Sequence, residues 1–247
     1  MPARLSMNPV AILQHEPSQG PGYLTEFMRH QDIPITVFQA SQRDLPRLAG
    51  DYSGIVVLGS NRSVNDAQPW IDAELALLEQ AIARDVPVLG HCFGGQLLAR
   101  ALGARVHRNA WPNIGWSRLS VTPAARHLFD GSAHAEMFNW HYDTFEIPSG
   151  ATRALFGMHC LNKGFVMGKH LGLQSHLEVT EESVRAWCRE SRHEFDRAQG
   201  PAVQPEAEVL RCLPERTARL HHVAHGVYRQ WIHGLKRPSA VHLHGAR

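Results

Sequence analysis

The sequence predicts an α/β protein: a mostly parallel sheet flanked by helices, with a helical extension at its C-terminal end. Three observations carry that prediction. Strand-length apolar runs alternate with helix-length amphipathic segments through the first hundred residues. One of those runs, Gly54-Ile55-Val56-Val57-Leu58, is apolar throughout and closed by Gly59, as befits a strand buried on both faces. A length of 247 residues with 43% hydrophobic content suits one large domain with an added helical segment.

Taken in order, Pro9-Val10-Ala11-Ile12-Leu13 reads as the first strand, Gly22 to Gln31 as a helix and Ile35-Thr36-Val37-Phe38 as the second strand. Gly54 to Leu58 follows. A helix from about Pro69 to Ala83 places Ile71, Leu75, Leu78 and Ile82 at helical spacing and starts on a proline, which lacks the amide that a first turn leaves unpaired. Val86-Pro87-Val88-Leu89 is the next strand. From Gly103 to Leu173 the helical signal fades, and Leu119 to Val121, Glu136 to Phe138, Arg153 to Phe156 and Phe165 to Met167 predict short strands in mixed or antiparallel pairing. Helicity returns after Thr180, an N-cap followed by Glu181 and Glu182, whose charges suit the helix dipole. Gln199 to Pro205 reads as a linker. Beyond it, Leu220, Val223, Val227, Tyr228, Trp231 and Leu235 form one apolar helix face.

Composition excludes several classes of function. The 25 basic and 23 acidic residues leave a net charge of +2, too little for a nucleic-acid-binding surface, and no apolar run reaches the ~18 residues of a membrane span. Met1 to Asn8 lacks the apolar stretch of a secretory leader, so the expected location is cytoplasmic. Cys92, Cys160, Cys188 and Cys212 are far apart, which argues against a disulfide framework or a Cys-rich zinc site. His221 and His225 stand four apart, and His242 and His244 lie near the end, but no companion Cys, Asp or paired His makes them a metal site. No metal and no organic cofactor is expected.

The most informative stretch is Val88-Leu89-Gly90-His91-Cys92-Phe93-Gly94-Gly95-Gln96. A buried strand ends, a tight turn carries Cys92, and a helix begins. Gly90 and Gly94 leave room for a strained turn, and the helix start supplies backbone N–H groups that stabilise a thiolate and an oxyanion. A cysteine after a strand is more often a small core residue; the flanking glycines and the strand-to-helix switch favour a nucleophile. Downstream, Gln174-Ser175-His176-Leu177-Glu178 puts an imidazole and a carboxylate two residues apart, on the same side if the chain is extended. His176 then serves as general base and acid, and Glu178 fixes its tautomer.

With these residues in view, the chain resembles the class I glutamine amidotransferases, the family with a Cys-His-Glu triad. Trp140-His141-Tyr142-Asp143-Thr144-Phe145-Glu146-Ile147-Pro148 is similar to a segment of the stand-alone, GMP-synthase-like group, and Asn113-Ile114-Gly115-Trp116 is similar to another, with Asn replacing Glu. Trp116 is expected in the core. The resemblance covers Val10 to Trp187. It implies a flavodoxin-like sheet with Cys92 at a strand's carboxyl end, residues 1–198 as the amidotransferase-like domain, and residues 199–247 as linker and helical extension packed on the same domain.

Carried over to this chain, the resemblance makes Cys92 the nucleophile, His176 the base and Glu178 its orienter, with the Phe93 amide as one oxyanion donor. Gln96 is expected near the glutamyl head of the substrate, and Tyr142 beside it. His141 has no partner in the sequence; it lines the pocket, with direct substrate contact as the alternative. The family's second oxyanion loop, usually G-G-P, is Gly59-Ser60-Asn61 here. A positive φ at Ser60 would strain a residue with a Cβ and weaken catalysis. Ser175-His176-Leu177 stands where the family has Phe-His-Pro.

The expected reaction is hydrolysis of the glutamine side-chain amide through a γ-glutamyl thioester on Cys92, releasing ammonia. Glutamine or another γ-glutamyl small molecule is the substrate. No P-loop motif occurs, so an ammonia acceptor implies a separate synthetase subunit. The alternatives are a γ-glutamyl peptide hydrolase and a weakly active amidotransferase-like binding subunit.

Overall fold

Residues 7–237 are described by a computed structural model. His242 and His244 lie outside them. Strands Val10–Gln14 (β1), Ile35–Gln39 (β2), Gly54–Val57 (β3) and Val88–His91 (β4) alternate with helices Gly22–His30 (α1) and Pro69–Ala83 (α2). Helix Phe93–Ala101 (α3) starts directly after the β4 turn. The chain then runs through Val106–Val121 (β5), His134–Phe145 (β6), Thr152–Phe156 (β7), Gly164–Met167 (β8) and His170–Leu173 (β9). Helices Glu181–Glu190 (α4), Arg192–Arg197 (α5), Glu206–Leu210 (α6) and Leu213–Ile232 (α7) complete the described chain. Among the described residues no helix is long and apolar enough to cross a membrane.

All nine strands form one sheet in the order β2-β1-β3-β4-β9-β8-β7-β5-β6. The first five are mutually parallel, in the strand order of a flavodoxin-like sheet, and the rest pair antiparallel. Side chains of a strand alternate faces, and the core divides accordingly. Val10, Ile12, Val56 and Leu89 join one apolar cluster with Leu24 and Phe27 of α1 and Leu220, Tyr228 and Trp231 of α7. Ala11, Leu13, Ile55, Val57 and Val88 join the other with Ile71 and Leu78 of α2 and Leu97 and Leu98 of α3. Continuously apolar strands are required because both faces are covered.

Helix α2 has the expected bounds, and Thr180 caps α4 through a reciprocal pair of bonds with Ser183. Four expectations need correction. β4 starts at Val88, two residues later than the apolar run suggests. The short strands expected at Leu119 to Val121 and Glu136 to Phe138 are parts of a long β5–β6 ribbon of 16 and 12 residues. Its exposed polar positions, such as His107 and Arg118, dilute the apolar signal. β9 stops at Leu173, so His176 and Glu178 lie beyond the regular strand. Residues 199–205 do not form a free linker: Ile114 donates to Ala202 O at 2.9 Å, and Gln204 donates to Ile114 O at 3.0 Å. The Gln204 side chain closes on both backbone groups of Trp116. Trp116 is buried as expected and donates from Nε1 to Val209 O.

The β4–α3 junction depends on glycine for close approach. A Cβ on Gly94 would stand 2.1 Å from Val57 O, and one on Gly90 2.3 Å from Gly94 O. Backbone cannot yield as a flexible side chain can. Gly94→Ala is therefore expected to destabilise the protein by about 3 kcal/mol or more, read as a lowered urea midpoint. An unchanged midpoint would contradict this account of the junction.

Candidate active site

Cys92 sits in the β4–α3 turn with φ 50° and ψ −109°, a conformation unusual for a residue with a Cβ. Its amide is anchored on Leu173 O at 2.8 Å. Sγ lies 3.6 Å from Trp140 O, and Gln174 Nε2 points at it from 3.8 Å. Phe93, the first residue of α3, has no intrahelical acceptor for its N–H, so the turn and the helix start aim donors and a positive dipole end at one place.

His176 is held from outside the regular strand. Its N–H donates to Phe138 O at 2.9 Å, and Trp187 packs edge-on to the ring at 4.8 Å. Nδ1 lies 2.7 Å from Glu178 Oε1. With a proton on Nδ1, Nε2 is the nitrogen available to the cavity. Burial alone would push the imidazole down; the Glu178 carboxylate and the Cys92 sulfur outweigh it and hold His176 up at about 10. Burial would likewise raise the Glu178 carboxyl, but the neighbouring His91 and His176 hold it below the usual carboxylate range. Behind Glu178, His91 Nε2 lies 3.8 Å from Oε2 and 3.2 Å from the Tyr228 hydroxyl, which ties α7 to this site.

Cys92, Phe93, Gln96, Ser60, His141, Tyr142 and His176 all line one cavity. Glu178 stands behind His176 and does not reach it. Gly59 is also outside the lining, yet a Cβ there would stand 2.7 Å from His176 Cε1, so the position tolerates no side chain. Ser60 does not have a positive φ, which removes the expected strain. Gln96 spends both amide hydrogens on protein, donating to Asp143 O at 3.1 Å and Gln174 Oε1 at 3.3 Å, and so offers a substrate only its oxygen.

His141 is corrected as a direct polar substrate contact. Its Nδ1 donates to Asp143 O at 2.9 Å, and its Nε2 accepts from Lys163 Nζ at 2.7 Å. Both nitrogens are committed, and burial, with Lys163 beside it, pushes the ring well below its usual range. It is a neutral spacer in the cavity wall. Tyr142 donates to Glu194 Oε2 at 2.6 Å and carries the Arg108 guanidinium 4.4 Å over its ring. Among the C-terminal histidines, His221 bonds to Val179 O and stacks on Tyr23, and His225 packs edge-on to Phe27. Both serve packing.

The sequence reading missed Lys163, Asn139 and Glu194. Lys163 is buried, and the hydrogen-bond partners of its Nζ, Asn139 Oδ1 at 2.9 Å and His141 Nε2, are both neutral. Ser175, at the family's Phe position, donates to the same Asn139 oxygen at 2.8 Å. Glu194 accepts from both Tyr142 and Trp140. Burial lowers Lys163 to about 8, against 10.5 for a free lysine, the Cys160 and Cys92 sulfurs opposing the shift only in part. A lowered folded value means that the native chain sheds this proton before the unfolded chain does, so stability rises with pH between about 8 and 10.5. Wild type should gain on Lys163→Met across that window in urea unfolding. A constant difference would mean that Lys163 holds its proton in the fold as firmly as in the unfolded chain, so that burial does not lower it.

Comparison with known proteins supplies the family and the fold. The family model for glutamine amidotransferase class-I matches residues 23–186. The glutamine amidotransferase-like protein YfeJ of Salmonella typhimurium is 31% identical over 165 residues, 63% of this chain and 69% of that one. The crystal structure of a glutamine amidotransferase from Methylobacillus flagellatus superposes with a TM-score of 0.93 at 40% identity, covering 97% of this chain and all of the other. At lower coverage, a GMP synthase [glutamine-hydrolyzing] of Aeropyrum pernix is 30% identical over 50% of this chain but only 22% of its own length. A gamma-glutamyl-L-1-hydroxyisopropylamide hydrolase of a Pseudomonas species is 25% identical over 58% of this chain and 52% of its own length. The elbow, the sheet order and these matches over most of the chain place it in the class-I glutamine amidotransferase family.

Proposed function

We propose that the protein hydrolyses the side-chain amide of glutamine through a γ-glutamyl thioester on Cys92. The observation that carries this reading is a strained cysteine at a helix start opening on the same cavity as a His176 that is bonded to Glu178 at 2.7 Å. Cys92 Sγ adds to the amide carbon, and the carbonyl oxygen takes the negative charge against the Phe93 and Ser60 amides. His176 gives its proton to the nitrogen as the C–N bond breaks and ammonia leaves. A water then loses a proton to His176 and attacks the thioester; the C–S bond breaks, and glutamate departs. Glu178 keeps the imidazole oriented and favours its charged form. The ammonia goes to a synthetase subunit, a reading supported by the similarity to a GMP synthase, and the chemistry takes place in the cytoplasm.

A second reading, hydrolysis of a substituted γ-glutamyl amide, is favoured by the match to a γ-glutamyl alkylamide hydrolase. A weakened binding subunit loses its motive, since Ser60 carries no left-handed strain. Ammonia release from glutamine, set against amine release from γ-glutamyl alkylamides and γ-glutamyl peptides at equal concentration, separates the readings. The higher kcat/KM is expected for glutamine; preference for a substituted amide would assign the second reading.

A further inference from the structure

Next to the Cys92 cavity lies a buried pair that the proposed chemistry does not use. His15, which follows β1, and Glu74 of α2 have fully shielded side chains, with His15 Nε2 2.9 Å from Glu74 Oε1. The other ring nitrogen, Nδ1, lies 2.8 Å from Gly59 O. A backbone carbonyl can only accept, so Nδ1 carries a proton whichever partner holds the one between Nε2 and Glu74. The imidazole also meets the Phe93 ring edge-on at 4.8 Å and the Trp70 ring at 5.2 Å. One side chain thus touches the residue before Ser60 and the residue after Cys92, the two places from which backbone amides reach the cavity.

The direction of the Gly59–Ser60 peptide follows. No described peptide bond is cis, and in a trans peptide the C=O and N–H point opposite ways. With Gly59 O turned to His15, the Ser60 N–H is turned away from it, on a residue that lines the cavity. Among the described residues no acceptor takes that N–H, whereas the next two amides of the loop are occupied: Asn61 donates to Glu16 Oε1 at 3.4 Å and Arg62 to Ser60 Oγ at 3.2 Å. A buried carboxylate is costly to maintain unless it is paired. Here its pairing holds a donor on the loop carbonyl.

We propose that His15, held by Glu74, is the positioning residue of the oxyanion site: it fixes the Gly59–Ser60 peptide so that the Ser60 N–H, together with the Phe93 N–H, meets the carbonyl oxygen as it takes up charge. This rests on the reading of Cys92 as nucleophile, but not on glutamine as substrate. Two reactions of the same sulfur isolate it. Acylation by p-nitrophenyl acetate forms the S–C bond through a tetrahedral oxyanion and expels p-nitrophenolate. Alkylation by iodoacetamide forms an S–C bond as iodide leaves, with no oxyanion.

In His15→Phe the acylation burst should slow by about 10²-fold, the loss expected for one oxyanion donor, while alkylation stays within about twofold of wild type. His15→Asn, whose amide nitrogen can still donate to Gly59 O, should recover about tenfold of the loss. If the unpaired Glu74 prevents His15→Phe from folding, His15→Phe/Glu74→Leu removes both members of the pair and carries the same expectation. Equal loss of both reactions, or no loss of acylation, would overturn the proposal. Cys92→Ser should show neither reaction at this site, and peptide mass spectrometry reads the label at Cys92 apart from alkylation of the exposed Cys212; a wild type unlabelled at Cys92 would count against it. Failure of the glutaminase reading alone would show as an intact acylation burst with no ammonia from glutamine.

Discussion

Cys92→Ala should lower glutamine hydrolysis by at least ~10⁴-fold while leaving the fold in place, the scale on which removing a nucleophile acts when nothing else can form the covalent intermediate. The substitution removes one sulfur from a residue that is 6% exposed, so little packing is lost. It also keeps a Cβ in the left-handed turn, so the strain of the elbow persists without the atom it serves. Cys160, Cys188 and Cys212 give the contrast. Cys160 is bound up with Thr144 Oγ1 at 3.3 Å, away from the cavity lining, and burial pushes the Cys188 thiol up to about 11, which disfavours a thiolate there. Alanine at any of these three should retain turnover within a few-fold, and an electrophilic glutamine analogue should label Cys92 alone. Mass spectrometry of the labelled protein and steady-state ammonia release test both statements. Turnover near wild type in Cys92→Ala would remove the thioester from the mechanism.

What could be read in the sequence was whatever depends on near neighbours in the chain. The elbow is legible because Gly90 and Gly94 flank Cys92 and their need is steric: each Cβ would meet backbone at 2.3 Å or less. The His176–Glu178 bond is legible because the two residues are two apart, although the extended strand assumed for them ends before His176 and a single bridge to Phe138 does the holding. The mostly parallel α/β class followed from the alternation of apolar runs with helices, whereas the flavodoxin-like arrangement of the strands was implied only by the family resemblance. The rest of the site depends on partners far apart in the chain: Lys163 meets His141 across 22 residues, Tyr142 meets Glu194 across 52, and His15 meets Glu74 across 59. No periodicity or local motif marks such pairs. A lysine between Asn162 and Gly164 reads as loop polarity until the sheet closes over it. The Ser60 departure was misjudged for a related reason: φ at one residue is set by the loop around it, not by the residue type that a family prefers.

His176→Ala should cost more than Glu178→Gln, about 10⁵–10⁶-fold against 10³–10⁴-fold in kcat/KM, as in other nucleophile–histidine–carboxylate sites. Glutamine at 178 can still accept the Nδ1 proton of His176, so orientation survives in part; what goes is the charge that offsets burial of the imidazole. The same pair leaves a signature in stability. Glu178 titrates below 4.5 in the fold, so its contribution is present above the unfolded value and is lost as pH falls through the folded one. His176 is raised from 6.5 to about 10, so its contribution is complete below 6.5 and is lost as pH rises toward the folded value. Both contributions coexist only between about 4.5 and 6.5. Urea unfolding of wild type and Glu178→Gln should therefore differ most in that window, with the gap closing on either side. A gap that stayed level from pH 6.5 to 9 would mean that His176 is neutral in the folded protein, and the assignment of Glu178 as the group that holds its charge would fall.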